Sequence, residues 1–103
     1  MKECIFCKII AKEIPATVIY ENEEIIAFLD VNPQSPGHTL IVPKTHYENI
    51  LQKTDQVDLL KYSEIVRQKL SEIYNVTDFK LLINTGKKAG QEVFHLHLHF
   101  IPC

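Results

Sequence analysis

Near its C-terminal end the 103-residue chain reads His95-Leu96-His97-Leu98-His99, three imidazoles alternating with two leucines, and Phe100-Ile101 continues the apolar run. Alternation is the period of an extended strand. The spacing therefore predicts a strand with all three histidines on one face and both leucines on the other. The leucine face suits a hydrophobic core, but three neighbouring imidazoles are poor core material. Three readings compete for them. Two or three of the histidines could ligate a metal, as H-x-H pairs do in metallohydrolases. An imidazole could be a nucleophile or general acid–base, being the side chain best matched to proton transfer near neutral pH. Or the face is a polar patch without chemistry, which five histidines in the whole chain make a poor account of three at this spacing. An open catalytic zinc site takes three protein ligands, and apart from Glu92 no carboxylate lies close in sequence to complete one. The preceding loop suits imidazole catalysis on a phosphate. Gly86 and Gly90 permit close backbone approach, and Asn84 and Gln91 offer amide donors.

Other segments must position this face. Cys4 to Glu13 carries a helical stripe, Ile5, Phe6, Ile9 and Ile10, and Pro15 disfavours helix at Ile14. That predicts a short helix with Cys4 and Cys7 one turn apart. Val18-Ile19-Tyr20 and Ile25 to Leu29 are strand-like runs joined by the polar Glu21 to Glu24, a hairpin pattern. Asp30 to Gly37 is turn chemistry with two prolines and a glycine, and His38 to Val42 is a third strand stopped by Pro43. Thr54 to Asn75 reads as the one long helix, capped by Thr54 or Asp55, with Leu59, Tyr62, Val66, Leu70 and Ile73 along one face. Phe79 to Asn84 is a fourth strand, Thr85 to Gln91 a loop, and Val93 to Ile101 the fifth strand. The order predicts one α+β domain over residues 1–103, a five-stranded, largely antiparallel sheet with one long and one short helix.

Composition bounds the ligand. A hydrophobic content of 46% and a charged content of 23% are ordinary for a soluble domain. A net charge of -2 gives no electrostatic case for duplex DNA or RNA, or for an anionic membrane, and leaves a single nucleotide open. No apolar run approaches the ~20 residues that cross a bilayer, and Lys2, Lys8 and Lys12 interrupt any signal-peptide core. A cytoplasmic protein is the expectation. Three cysteines, two of them the C-x-x-C pair Cys4/Cys7, are no disulfide framework, and Cys103 is expected to have no role.

In its residues the chain resembles the histidine triad (HIT) superfamily. His95 to Ile101 matches the His-φ-His-φ-His-φ-φ signature, φ being apolar. Cys4 to Ile10 with Lys12 to Pro15, Phe28 to Val31 with Pro33, Pro36-Gly37-His38 with Pro43-Lys44 and His46, and Asn84 through Gly90-Gln91 stand in the family's order. The resemblance spans essentially the whole chain and is to the nucleotide-binding, HINT-like branch. It implies sheets paired across a homodimer with one nucleotide site per subunit. It also implies hydrolysis or nucleotidyl transfer at the α-phosphate of purine nucleoside 5′-phosphoramidates or related conjugates, dinucleoside polyphosphates among them. Its alternative is a purine-nucleotide-binding regulatory protein with negligible turnover.

The resemblance assigns roles. His97 would attack phosphorus and carry a nucleotidyl group, its other ring nitrogen donating to the carbonyl of His95. His99 would donate to a non-bridging phosphate oxygen, and His38 would order the triad. Asn84 and the Gly90-Gln91 backbone would contact phosphate, and Asp30 would accept from the ribose hydroxyls; read alone, Asp30 is a turn-opening residue. Ile5, Phe6, Ile9, Phe28, Val31 and Leu40 would line a slot for the base, with ordinary core as their other reading. Cys4, Cys7, His46 and His95 form a Cys₂His₂ set, which some bacterial-type members fill with structural zinc; a redox pair, or two small apolar residues on a helix, are the other readings of the cysteines. One position departs from the branch. Where Ser or Thr commonly follows the Gly-Gln pair, this chain has Glu92, and a carboxylate beside a phosphate must turn away, take up a proton or accept from an amine leaving group.

Overall fold

A computed structural model describes residues 4–103. The elements run α1 (Ile5–Ile10), β1 (Val18–Glu21), β2 (Ile25–Leu29), β3 (Thr39–Pro43), α2 (Tyr62–Leu70), β4 (Phe79–Leu82) and β5 (Leu98–Pro102), with single 3₁₀ turns at Ile50–Gln52 and Lys87–Ala89. The five strands form one antiparallel sheet in the order β1-β2-β3-β5-β4, as the hairpin order of the sequence predicts.

Both faces of this sheet are covered, which explains why Ile25 to Phe28 and Leu40 to Val42 are unbroken apolar runs. Ile25, Ala27 and Ile41 point to one side with Leu96, Leu98 and Phe100, where Tyr62, Val66 and Leu70 of α2 cover them. Ile26, Phe28, Leu40 and Val42 point to the other side, under Phe6 and Ile9 of α1. The leucines between the histidines are thus core, as their alternation predicts; truncating either to alanine costs about 2–5 kcal/mol. The histidines face the α1 side, where Phe6 meets the His97 ring edge-on at 5.0 Å and the His95 ring at 5.9 Å.

Several elements are shorter than their sequence pattern, α1 (Ile5–Ile10) among them. α2 begins at Tyr62, not Thr54, and its N-cap, Lys61, makes no side-chain cap hydrogen bond. Asp55 and Asp58 instead capture the amides of Val57 and Leu60, local turns that compete with helix. Leu59, Tyr62, Val66 and Leu70 are buried as expected, but Ile73 lies past the helix end and is 69% exposed. β5 begins at Leu98, not Val93, because its pairing with β3 stops at Ile41–Leu98. Beyond that point the Leu96 amide bonds to Tyr47 O at 2.6 Å, and the His95 ring, through Nε2, donates to Pro43 O at 2.8 Å. β4 likewise stops at Leu82, short of Asn84.

Candidate active site

A cavity of about 860 Å³ opens on the α1 side of the sheet. Ile5, Phe6, Ile9, Phe28, Val31 and Leu40 supply apolar lining, and Asp30, His38, Asn84, Gly90, His97 and His99 supply polar lining. Residues as distant in sequence as Asp30 and His99 are brought together because β2, β3 and β5 are neighbours, and the loop after β4 brings Asn84 and Gly90 to the same cavity. Gly90 adopts a left-handed backbone, φ 97°, and a side chain there would stand 3.5 Å from the Asn84 amide nitrogen. Val31 is 89% exposed, so it sits at the rim.

The histidines form two hydrogen-bonded chains whose proton positions follow from their partners. His97 Nδ1 lies 2.7 Å from His95 O. A carbonyl only accepts, so Nδ1 carries the proton and Nε2 keeps a lone pair. That nitrogen bonds to no described residue. His95 in turn donates Nε2–H to Pro43 O, which leaves its Nδ1 lone pair facing the cysteines. In the second chain the Gln34 amide donates to His38 Nδ1 at 3.0 Å. Neutral His38 therefore holds its proton on Nε2 and donates to His99 Nδ1, 3.0 Å away. His99 is then an Nε2–H donor, the form needed to meet a phosphate oxygen. So one histidine presents a lone pair and its neighbour, 4.9 Å away between ring centroids, presents a proton.

Burial keeps these rings neutral. It pushes His99 down to about 4, with His97 and His38 repelling its proton and Asp30 opposing them. Burial also pushes His95 down to about 4 and lowers His97 and His38.

Asp30 combines its two readings: Oδ1 accepts from the Asn32 amide at 3.0 Å as a turn residue, and Oδ2 stands 3.6 Å from His38 Nε2 inside the cavity. Gln91 behaves differently from the amide donor its sequence position suggests. It is buried and absent from the cavity lining, its Nε2 donates to Glu48 O and Val93 O, its Oε1 accepts from the Gly86 amide, and its own amide donates to Gly86 O. It closes the loop that carries Gly90. Glu92 is exposed and does line the cavity. Sequence reasoning missed Gln34, whose contribution is a backbone amide, and the stretch Ile14 to Thr17, which walls the slot. The Pro33/Pro36 turn four residues before His38 was the available signal for the former.

On the far side of His95 lies a second cluster. Cys4, Cys7, His46 and His95 place their ligand atoms within 4.8 Å of one another. Cys4 Sγ is 3.4 Å and Cys7 Sγ 3.6 Å from His95 Nδ1, and Cys7 Sγ is 3.2 Å from His46 Nδ1. Sulfur and nitrogen ligands at tetrahedral zinc bond lengths stand roughly 3.5 Å apart, so the set fits such an ion. No disulfide joins the two cysteines, and burial, with the neighbouring Cys4 thiol adding to it, raises Cys7 to about 11. Asp30, His38 and His99 also fall within 4.8 Å of one another. There the Gln34 amide occupies His38 Nδ1, which holds the His38 proton on the very nitrogen a cation would need.

The sequence pattern of the HIT domain matches residues 11–103. Protein HitA of Neisseria gonorrhoeae is 46% identical over 103 residues, covering 98% of this chain and 96% of that protein. Adenylylsulfatase HINT3 of Arabidopsis thaliana is 38% identical over 102 residues, covering 97% of this chain and 52% of its own. The structure of a HIT family hydrolase from Clostridium thermocellum superposes with a TM-score of 0.85 at 38% identity, over 100% of this chain and 92% of that one.

Proposed function

Because this chain belongs to the HIT domain family, we propose that it is a nucleotide hydrolase acting through a covalent nucleotidyl-His97. The substrate class is a purine nucleoside 5′-phosphoramidate or related conjugate cleaved at its α-phosphate. A hydrolase and an adenylylsulfatase among its relatives support the reaction type. The observation that carries the reading is the 2.7 Å bond from His97 Nδ1–H to His95 O, which leaves Nε2 unprotonated in the cavity.

Nε2 of His97 attacks phosphorus, and the bond to the leaving group breaks with its electron pair on that group, which takes a proton from solvent. The imidazolium so formed keeps Nδ1–H on His95 O. His99 Nε2–H meets the charge that develops on a non-bridging oxygen. Water then adds to phosphorus and releases a proton, the P–N bond to His97 breaks, and the nucleoside monophosphate leaves. Asp30 accepts from the ribose, Asn84 and Gly90 meet the phosphate, and Phe6, Ile9, Phe28 and Leu40 hold the base. Gln91 supports the loop rather than the ligand.

Zinc in the Cys4, Cys7, His46, His95 cluster is the second part of the proposal. Held by these four residues, an ion would clip α1 to the sheet and fix the ring of His95, whose carbonyl orients His97. No described helix is long and apolar enough to cross a membrane, and cysteines that are not joined in disulfides, two of them proposed as metal ligands, fit a cytoplasmic location. A homodimer through β4 is the third part, supported by an edge strand that exposes Leu81 and Leu82.

The test is hydrolysis of an adenosine 5′-phosphoramidate by wild type and His97→Ala. Loss of turnover in the variant, with a nucleotidyl adduct trapped from wild type by acid quench, is the expected result. Wild-type turnover in His97→Ala overturns the reading. Tight AMP binding without turnover in either protein replaces it with a nucleotide-binding regulator.

A further inference from the structure

The catalytic cavity does not end at the triad. A second cavity of about 610 Å³ abuts it, and Ile5, Glu92 and Val93 line both. Glu92 therefore stands on the ridge between the space that holds His97 and His99 and the space beyond. Its carboxylate is exposed and makes no hydrogen bond or ion pair with the described residues. Glu48, the other carboxylate of the second cavity, accepts from Gln52 Nε2 at 3.3 Å, which leaves Glu92 as the acceptor without a partner.

The charge census of both cavities is one-sided. Among the described residues, no lysine or arginine lines either one, whereas Asp30 and Glu92 line the first, and Glu48 and Glu92 line the second beside Cys4 and His46 of the Cys₂His₂ cluster that borders it. A divalent ion on two thiolates and two neutral imidazoles would leave this balance unchanged. A leaving group that is a chain of further phosphates would meet no cation and at least one free carboxylate. A neutral leaving group would be indifferent. A cationic one would find an acceptor charge and, beside it, the apolar surface of Val93 and of Phe94, which is 46% exposed.

We propose that Glu92 is a specificity-determining residue and that the second cavity is the leaving-group subsite, selecting conjugates whose leaving group is an amine bearing a second, positively charged end. The proposal rests on the phosphoramidase reading of the site and narrows its substrate class. The bond that breaks remains the α-phosphorus–nitrogen bond. The departing amine takes its electron pair and a proton from solvent, while its distal ammonium is held by Glu92 and undergoes no chemistry.

The test compares three adenosine 5′-phosphoramidates of similar length, N-linked to 4-aminobutyl, pentyl and 3-carboxypropyl groups. Each is assayed with wild type, Glu92→Gln, Glu92→Asp and Glu92→Lys, and the readout is the ratio of kcat/KM values within each protein, so that overall losses cancel. In wild type the cationic substrate is expected to lead the neutral one by about fivefold, the size of one solvent-screened charge pair, with the anionic substrate last. The lead falls toward unity in Glu92→Gln, survives in part in Glu92→Asp, reverses in Glu92→Lys and shrinks in 0.5 M KCl, roughly a fourfold shorter screening range than at low salt. A ratio near one in wild type, or a lead that persists in Glu92→Gln, overturns this inference and leaves the phosphoramidase reading standing. Failure of wild type to cleave any of the three overturns both.

Discussion

The carbonyl oxygen of His95 lies 2.7 Å from Nδ1 of His97, while the ring of His95 points the other way and donates from Nε2 to Pro43 O at 2.8 Å. One residue thus acts twice, through its backbone on the ring of His97 and through its side chain on the scaffold. Substituting the ring keeps the carbonyl. His95→Ala is expected to retain the His97 tautomer but to lose a fully buried ring and orphan Pro43 O. Urea denaturation should show a loss of about 2–4 kcal/mol, and turnover should fall because the carbonyl is no longer held in place.

Metal content makes a separate prediction. Wild-type protein should carry close to one zinc per chain by elemental analysis, and Cys4→Ser or Cys7→Ser should carry much less and unfold at lower temperature. Chelator should make both thiols reactive in wild type. Zinc-free protein with thiols already reactive as isolated would remove this part of the proposal.

Much of this arrangement is legible in the sequence because it is local. Alternation told the leucines from the histidines, and the unbroken runs at Ile25 to Leu29 and His38 to Val42 are what strands covered on both faces require. The boundaries that failed did so where side chains compete with the backbone. Asp55 and Asp58 take the amides a helix from Thr54 would need, and the rings of His95 and His97 take carbonyls near the point where the ladder to β3 ends. Periodicity carries no such information. Gln91 looked like a phosphate donor because its amide is of the right type, but its partners, Glu48 O and the Gly86 amide, are set by tertiary structure. Gln34 was missed because a backbone amide has no sequence letter.

The link from Gln34 through His38 to His99 predicts a graded effect on catalysis. His38→Ala removes the donor that fixes His99 as an Nε2–H tautomer. It should lower kcat by about tenfold to a hundredfold, the usual cost of losing a residue that orients a functional histidine, with KM moving less. Steady-state kinetics on one phosphoramidate decides this; equal losses in His38→Ala and His97→Ala would make His38 a participant rather than an orienter.

Asp30 should report on the sugar. Replacing its carboxylate by an amide in Asp30→Asn removes a charged acceptor and should weaken nucleotide binding by about 2 kcal/mol, some thirtyfold. Isothermal titration with AMP measures it. Wild type should lose a similar amount on passing from AMP to 2′,3′-dideoxy-AMP, and Asp30→Asn should lose almost nothing further, since the partner hydroxyls and their acceptor act as a pair.

Acid should destabilise the fold through His99. Burial holds this ring down at about 4, against an ordinary value near 6.5, with His97 and His38 opposing its charge and Asp30 favouring it. Between those two values the unfolded chain binds a proton that the folded chain refuses. The unfolded state then holds more protons, so stability rises with pH across the window and falls as pH drops from about 6.5 toward about 4. Below about 4 the folded ring also protonates and the dependence from this group flattens. Thermal midpoints measured at intervals from pH 7 to pH 4.5 should therefore decline. His95 and any metal it holds add their own dependence, so the comparison that isolates His99 is the same series on His99→Asn. That variant should show a shallower decline, whatever its midpoint at pH 7. Parallel curves for the two proteins would mean that the His99 ring protonates in the folded state as easily as in the unfolded one, and that the histidine face is open to water rather than buried under α1.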